Sequence, residues 1–181
     1  MTLTQTWTVA MGVALAFVVG YAGAVFSTAS KVAERKDPFH VLQRRTGNQL
    51  PPARFIAPGE KPVADDSWRK GKVVLVMVTT SCDACLLEAR FLRGVVGKRN
   101  DVKFLGVLSF EQDAEALQKA QALFPFPVVR DDGMALMQGL GVTGVPIKIY
   151  LENGVVKRTW GGASMTEQAR AGFTQWLTNL T

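Results

Sequence analysis

Residues that build metal and haem sites are scarce in this chain. Its 181 residues include two cysteines and one histidine. A structural zinc site needs four protein ligands, and the histidine, His40, lies far from both cysteines in sequence, which argues against zinc. Attachment of haem would need histidine directly after the second cysteine, where the chain has Leu86. The sequence therefore predicts neither a metal site nor a bound cofactor.

Charge is missing from one long stretch near the N-terminus. Residues 7–26, WTVAMGVALAFVVGYAGAVF, contain no charged side chain, and a helix of that length spans a hydrocarbon core of about 30 Å. The small residues Ala22 and Ala24 would also suit a cleaved signal peptide. However, no Lys or Arg precedes the run, and it is longer than a usual signal core. Residues 1–29 are therefore expected to form a single-pass membrane anchor.

The formal net charge of +6 lies mostly between this anchor and the C-terminal body. Residues 31–72 contain ten Lys or Arg and five Asp or Glu, whereas residues 73–181 contain eleven and ten. A groove for nucleic acid needs basic side chains on the folded body, so no nucleic-acid partner is predicted. A basic segment beside an anchor instead favours contact with anionic lipid headgroups.

Residues 30–70 are predicted to form an extended, basic tether. They include prolines at positions 38, 51, 52, 58 and 62 and show no sustained period of two or 3.6 residues. At most one short helix is expected, near the sequence FHVLQRR.

Alternating strand and helix signals begin at Gly71. The β-branched run KVVLVMVTT predicts a strand buried on both faces. Two more strands are predicted in DVKFLGVLSF and FPVVRDD, and helices in CLLEARFLRGVVG, DAEALQKAQALF and MALMQGLG. The sequence PIKIYLENGVVKRTW predicts a hairpin that turns at Asn153 and Gly154. Residues 71–181 are therefore expected to form an α/β domain, a mixed sheet flanked by helices.

A last helix is expected to cover this sheet. Ser164 and Glu167 have the spacing of a capping box, which predicts where the helix starts. Its period places an apolar set on one face, namely Ala169, Phe173, Trp176, Leu177 and Leu180.

Cys82 and Cys85 lie where the first predicted strand gives way to a helix. The unpaired N–H groups and the macrodipole at a helix N-terminus favour negative charge, so a thiol there ionises more readily than a free one. Cys82 is the predicted nucleophile, and Cys85, one turn deeper, is placed to attack the resulting mixed disulfide. The alternative is two small apolar residues packed in a helix.

The order of these motifs resembles the thioredoxin fold, and most closely the membrane-anchored thioredoxin-like proteins of the cytochrome-maturation and thiol-disulfide interchange type. The matching pieces, all between residues 71 and 180, are GKVVLVMVTTSCDAC, FPFPVVRDD, GLGVTGVPIKIYLENGVV and WGGAS. The resemblance implies that Pro146 is cis and faces the cysteines, and that the backbone of Val145 binds a substrate strand. An ordinary trans proline at the entry to a strand is the alternative for Pro146.

Two positions depart from the family pattern. Ser81 stands where a tryptophan usually precedes the first cysteine, and Ile147 stands where threonine often follows the cis-proline. Both positions are expected on the substrate surface, so the resemblance does not identify the substrate. Glu111 corresponds in position to a glutamate that tunes the cysteines in some family members. The alternative role for Glu111 is a solvated carboxylate at the start of a helix, because the sequence FEQDAEA is also typical of an acidic helix N-terminus.

Asp83, between the cysteines, bears on the direction of the reaction. Its carboxylate disfavours a second negative charge on Cys82, which destabilises the reduced form and favours a reductant or isomerase over a strong oxidant. The side of the membrane is ambiguous. Five Lys or Arg in residues 31–45 favour a cytoplasmic body, whereas the resemblance implies the periplasmic side of the inner membrane, which is the expectation adopted.

Thiol-disulfide exchange with protein substrates is the predicted function, with the chain acting as a reductase or isomerase. The alternative is a non-catalytic, thioredoxin-like accessory subunit of a larger membrane complex. Three features favour it: the unusual Ser81, the unusual Ile147 and the long predicted tether. The retained spacing of Cys82 and Cys85 favours the enzyme, because a scaffold has no need of it.

Overall fold

The computed structural model describes residues 39–180. The predicted anchor and the start of the predicted tether lie outside the described residues. The fold belongs to the unit that begins at Val41. Between residues 39 and 180, no helix is both long enough and apolar enough to cross a bilayer.

Within residues 39–180, strands and helices alternate around one mixed sheet. The strands are β1 (Phe55–Ala57), β2 (Lys61–Pro62), β3 (Lys72–Val78), β4 (Val102–Leu108), β5 (Val128–Asp131), β6 (Ile147–Glu152) and β7 (Val155–Gly161). The helices are α1 (His40–Gln43), α2 (Asp65–Arg69), α3 (Asp83–Arg93), α4 (Ala114–Leu123), α5 (Ala135–Leu140) and α6 (Glu167–Thr178), with a 3-10 turn at Asp132–Met134. The strand order is β2-β1-β5-β4-β3-β6-β7.

The central strand β3 determines where the site lies. It runs parallel to β4 and antiparallel to β6, and six of its seven residues are buried. Its β-branched side chains suit such a position because both faces of the sheet are covered. On one face, α3, α4 and α6 contribute Leu92, Leu117 and Phe173 to a shared apolar core. The C-terminal end of β3 therefore leads directly into the loop that carries the cysteines.

The β6–β7 hairpin forms as the sequence predicts. Asn153 and Gly154 both have positive φ, 51° and 80°, which is the backbone of a two-residue turn that matches strand twist. The hairpin extends the sheet beyond β3 and brings the segment before β6 close to the start of α3.

The second half of the segment predicted as a tether, residues 30–70, is folded and not extended. β1 pairs with β5 in the same sheet as β3, and α2 buries Trp68, whose ring centroid lies 4.6 Å from that of Phe55. The predicted domain boundary at Gly71 therefore falls inside the folded unit. Strands of two or three residues are too short to show a period of two, and tertiary contacts supply their stability instead.

The capping box predicted for Ser164 and Glu167 is wrong. Helix α6 is capped by Thr166, whose Oγ1 accepts a hydrogen bond from the N–H of Ala169 at 3.1 Å. Ser164 is buried, and its N–H and hydroxyl donate to the carboxylate of Glu88. The hydroxyl is therefore unavailable as a cap, and the helix begins after Thr166. Ala169, predicted on the apolar face, is exposed.

Candidate functional site

Cys82 is the N-cap residue of α3. Its backbone is extended, with φ −105° and ψ 113°, and its Sγ accepts a hydrogen bond from the N–H of Cys85 at 3.3 Å. An N-cap side chain normally uses oxygen to satisfy one of the first N–H groups of a helix. Here sulfur takes that place, so a backbone donor points directly at the thiol.

The two cysteines have different surroundings. Both are free thiols, but Cys82 is partly exposed, whereas Cys85 is fully buried among the core residues under α3. Burial raises the pKa of Cys85 well above its ordinary value, and its interaction with Cys82 raises it further. Solvent and a large substrate can therefore reach Cys82 but not Cys85.

The segment before β6 lies against Cys82. The Val145–Pro146 peptide bond is cis, and the carbonyl oxygen of Val145 is 4.0 Å from Cys82 Sγ. The carbonyl of Pro146 is occupied, because it accepts a hydrogen bond from the N–H of Gly162 at 2.9 Å. Within residues 39–180, the N–H of Val145 has no hydrogen-bond acceptor. A backbone donor and an acceptor thus lie beside the exposed thiol.

Glu111 is folded back under the cysteine loop. Its carboxylate accepts hydrogen bonds from the N–H of Thr80 at 2.9 Å and from the Thr80 hydroxyl at 2.7 Å. Partial burial alone would raise its pKa, but the hydrogen bonds from Thr79 and Thr80 outweigh burial and hold the pKa below its usual value. Its negative charge is among the causes that raise the pKa of Cys85.

The alternative role considered for Glu111 is the acidic start of a helix. Asp113 has that role instead. The Oδ1 atom of Asp113 accepts a hydrogen bond from the N–H of Ala116 at 2.7 Å and caps α4. The run FEQDAEA thus contains one capping carboxylate and one that points to the cysteine loop.

Three other residues singled out in the sequence are also located. Asp83 is exposed in the first turn of α3, and Ser81 is exposed directly before Cys82. Ile147, however, is fully buried, so its predicted place on the substrate surface is wrong. It is paired with Met77 on β3, whose side chain is also buried, because both residues face the interior of the sheet.

A buried ion pair that was not predicted from the sequence lies beside the site. Lys148 Nζ lies 2.6 Å from Glu88 Oε1, and each side chain is 1% exposed. The N–H of Ser164 donates to the second oxygen of Glu88 at 2.5 Å. Burial lowers the pKa of Lys148, while the charge of Glu88 opposes that change. The pair joins α3, one turn after Cys85, to β6, two residues after Pro146.

The sequence does contain a signal for this pair. Glu88 lies on the apolar face of α3, together with Cys85, and Lys148 interrupts the apolar run IKIYL. Two opposite charges, each among the apolar residues of its own element, indicate a mutual partner.

The described residues offer a thiol pair but no metal centre, because no three His, Cys, Asp or Glu of residues 39–180 are grouped to hold an ion. No protein-family model matches the chain, and no curated protein sequence does.

Solved structures share this fold. One is dsbF of Mycobacterium tuberculosis, with a TM-score of 0.59, 24% identity, and 74% of this chain and 97% of that chain covered. A secreted M. tuberculosis disulfide oxidoreductase homologous to E. coli DsbE has a TM-score of 0.57, 19% identity and coverages of 70% and 95%. StoA of Bacillus subtilis has a TM-score of 0.54, 22% identity and coverages of 71% and 98%. The fold is thioredoxin-like, and it carries a CxxC pair at the start of α3.

Proposed function

We propose that this protein is a thiol-disulfide oxidoreductase in which Cys82 attacks protein disulfides and Cys85 resolves the mixed disulfide. The observation that carries the proposal is the unequal pair. Cys82 is partly exposed at a helix N-terminus, with the N–H of Cys85 3.3 Å from its sulfur, while Cys85 is buried beneath it. The fold shared with a solved disulfide oxidoreductase supports the same conclusion.

The reaction in the reducing direction has two exchanges. The Cys82 thiolate attacks one sulfur of a substrate disulfide, forms a mixed disulfide, and releases the other substrate sulfur, which takes up a proton. Cys85 then loses its proton and attacks Cys82 Sγ, which closes the Cys82–Cys85 disulfide and releases the second substrate thiol. Two electrons and two protons pass to the substrate, and an external dithiol must reduce the pair again.

The raised pKa of Cys85 determines the order of the two exchange steps. A thiol whose pKa is raised by burial stays protonated and does not compete for the substrate. It becomes the nucleophile only when the mixed disulfide presents Cys82 Sγ next to it. The N–H of Cys85 meanwhile stabilises negative charge that develops on Cys82 Sγ.

The backbone of Val145 suits a substrate in extended conformation. Its N–H is free of partners among the described residues, and its carbonyl faces Cys82. A substrate strand that pairs with both groups would hold its disulfide against the exposed sulfur. Such main-chain recognition accepts many sequences, as a general reductase or isomerase requires.

The proposal includes a place in the cell. We infer that residues 7–26 anchor the chain in the inner membrane, with the redox domain on the periplasmic side and the basic residues after the anchor near anionic headgroups. The uncharged length of that run supports the anchor, and one protein with this fold is secreted. Alkaline phosphatase and green fluorescent protein, each fused to the C-terminus of the full chain, test the side. Activity of the phosphatase fusion alone supports the periplasm, and fluorescence alone contradicts it.

Trapping tests the chemistry. We expect Cys85→Ser to attack insulin disulfides and remain covalently attached to the substrate, whereas Cys82→Ser traps nothing. The readout is a gel without reducing agent, together with turnover of insulin by the wild-type chain with dithiothreitol as electron source. If neither variant forms an adduct and the wild type has no turnover, the accessory-subunit interpretation replaces this one.

A further inference from the structure

The central strand β4 is open along half of one edge. It pairs with β3 from Val102 to Leu108 but with β5 only from Gly106 to Leu108. Strand β5 is shorter because it begins at Val128, directly after the sequence Pro125-Phe126-Pro127. The first half of β4 therefore has a neighbour on one side only.

Two hydrogen bonds show which backbone groups face the open side. The N–H of Gly106 donates to the carbonyl of Pro127 at 2.8 Å, toward β5, and the N–H of Ser109 donates to the carbonyl of Val78 at 3.1 Å, toward β3. Successive residues of a strand direct these groups to alternate sides. Phe104, two residues before Gly106, therefore points its N–H and its carbonyl away from β3.

Proline explains why the carbonyl of Phe104 is left unpaired. If the register of β5 continued backward, the carbonyl of Phe104 would need an N–H from residue 127, and proline has none. Among residues 39–180, the β4–β5 ladder does not include Phe104, and no loop residue bonds its backbone on this side. The strand presents a free donor and a free acceptor side by side.

A cavity lies beside this edge. Its volume is about 450 Å³, and its walls include Val63, Trp68, Phe104 and Phe126. Trp68 is 2% exposed, and its Nε1 has no hydrogen-bond partner in the part of the chain that the structure describes. That nitrogen is itself buried, so the surface that Trp68 offers to the cavity is apolar. The cavity is thus mainly apolar, and Phe104, whose backbone groups are unpaired on this side, forms part of its wall.

The charges around the cavity have one sign. Its described lining includes the cations Arg99 and Lys103 and no carboxylate. Arg99 is engaged by Asp101 at 2.7 Å. Lys103 is exposed and has no ion-pair partner within residues 39–180. A ligand with an acidic group would complement the free ammonium.

We propose that this groove binds a short extended segment of a partner polypeptide, which pairs with Phe104 as an added strand and directs an acidic side chain to Lys103. A donor and an acceptor at strand spacing are complementary to an extended backbone, and the apolar walls receive one of its alternate side chains.

The groove does not overlap the thiol site. It lies at the N-terminal end of β4, whereas Cys82 follows the C-terminal end of the parallel strand β3. A partner can therefore be held while Cys82 exchanges with a substrate. The proposal also holds if the redox function fails, since no cysteine contributes to the groove.

The first experiment tests the open edge. In the full chain, purified in detergent micelles and labelled with ¹⁵N, the amide of Phe104 should exchange its hydrogen faster than the amide of Leu105, which faces β3. Equal protection of both amides would mean that the edge is already closed and would overturn the proposal.

The second experiment uses the capped hexapeptide Ac-VTDVTV-NH2 on the same sample. Binding should move the Trp68 indole and Phe104 amide resonances and slow exchange at Phe104. A peptide with Lys in place of Asp should bind about tenfold more weakly. Methylation of the backbone nitrogen at the third or at the fourth residue should weaken binding about tenfold at one of the two positions and much less at the other, because successive N–H groups of a strand point to opposite sides. Lys103→Glu should weaken binding of the Asp peptide about fivefold, whereas Lys157→Glu on β7 should not.

Three results would refute the proposal. These are that the peptide binds without shifting the Phe104 amide resonance, that neither methylated peptide binds more weakly than the unmodified one, or that the peptide binds no better than octanoate, which tests for a small amphipathic ligand. The Cys82→Ser variant should bind the peptide as the wild type does, which keeps this outcome separate from that of the redox assays.

Discussion

Two carboxylates lie near the thiol pair, and their negative charges are stabilised by different kinds of partner. Glu111 is partly exposed and is held by neutral donors from Thr80. Glu88 is 1% exposed and is held by the ammonium of Lys148 and the backbone of Ser164. Hydrogen bonds and nearby water stabilise the first charge, whereas the second depends on one partner of opposite sign.

Because their surroundings differ, Glu111 is suited to a chemical role and Glu88 to a structural one. Water reaches Glu111, so its protonation costs less than that of a buried, paired carboxylate, and Glu111 is suited to influence the chemistry of the cysteines. A buried pair cannot lose either charge without stranding the other. Glu88 and Lys148 therefore fix α3, with Cys85, against β6, which follows Pro146.

The largest expected effect comes from breaking the buried pair. Glu88→Gln should leave the Lys148 ammonium unpaired and lower the free energy of unfolding by about 3–5 kcal/mol. The double variant Glu88→Leu with Lys148→Met should recover most of that loss, because both charges leave together. Urea unfolding followed by circular dichroism measures both.

A matched control uses an exposed pair. Asp66→Asn removes the partner of Lys70 from an ion pair whose side chains are 75% and 71% exposed, so the free energy of unfolding should change far less. Similar losses for Glu88→Gln and Asp66→Asn would contradict the assignment of Glu88 as a clamp.

A smaller, kinetic effect is expected at Glu111. Burial is the main cause of the raised pKa of Cys85, and the charge of Glu111 adds a smaller contribution. Glu111→Gln should therefore increase the thiolate fraction of Cys85 and speed resolution of the mixed disulfide about two- to fivefold at neutral pH. Stopped-flow measurement of product release from a preformed adduct reports this step. Glu115→Gln, on the exposed face of α4, is the control, and slower resolution in Glu111→Gln would instead make Glu111 a proton acceptor.

Glu111 also predicts a dependence of stability on pH. Its pKa is lower in the folded protein than the ordinary value of 4.5, so the unfolded chain binds more protons in acid. The stabilisation is complete above that ordinary value and disappears as the pH falls through the lower, folded pKa. Between about pH 7 and about pH 3, the free energy of unfolding should therefore decrease less for Glu111→Gln than for the wild type. Parallel curves would contradict this linkage.

Asp83 should have the smallest effect. It is exposed in the first turn of α3, where water and salt screen its charge. Asp83→Asn should shift the equilibrium of the thiol pair with glutathione less than about twofold at 0.15 M salt. A larger shift would restore Asp83 as the residue that sets the direction of the reaction.

The long periodic elements could be predicted from the sequence because their own side chains determine them. β3 and α3 follow from a β-branched run and an amphipathic period, and Asn153-Gly154 alone indicates the hairpin. Cys82 at the start of α3 follows from the same boundary between strand and helix. Each of these features depends on neighbours within a few residues.

The missed features depend on partners far along the chain. β1 is three residues long and depends on pairing with β5, more than 70 residues later in the chain. Ser164 has the sequence of a cap, but Glu88, 76 residues earlier, takes its hydrogen-bonding groups. Ile147 is predicted on the substrate surface, yet its register opposite Met77 directs it inward.

The burial of Cys85 also bears on oxidative damage. An oxidant reaches Cys82 first, and the sulfenic acid formed there is one step from irreversible products. Cys85, shielded in the core, keeps its thiol and can attack the sulfenic sulfur, which releases water and closes the Cys82–Cys85 disulfide. A dithiol reductant reopens that bond. The arrangement that orders the exchange reaction thus returns an oxidised enzyme to the normal cycle.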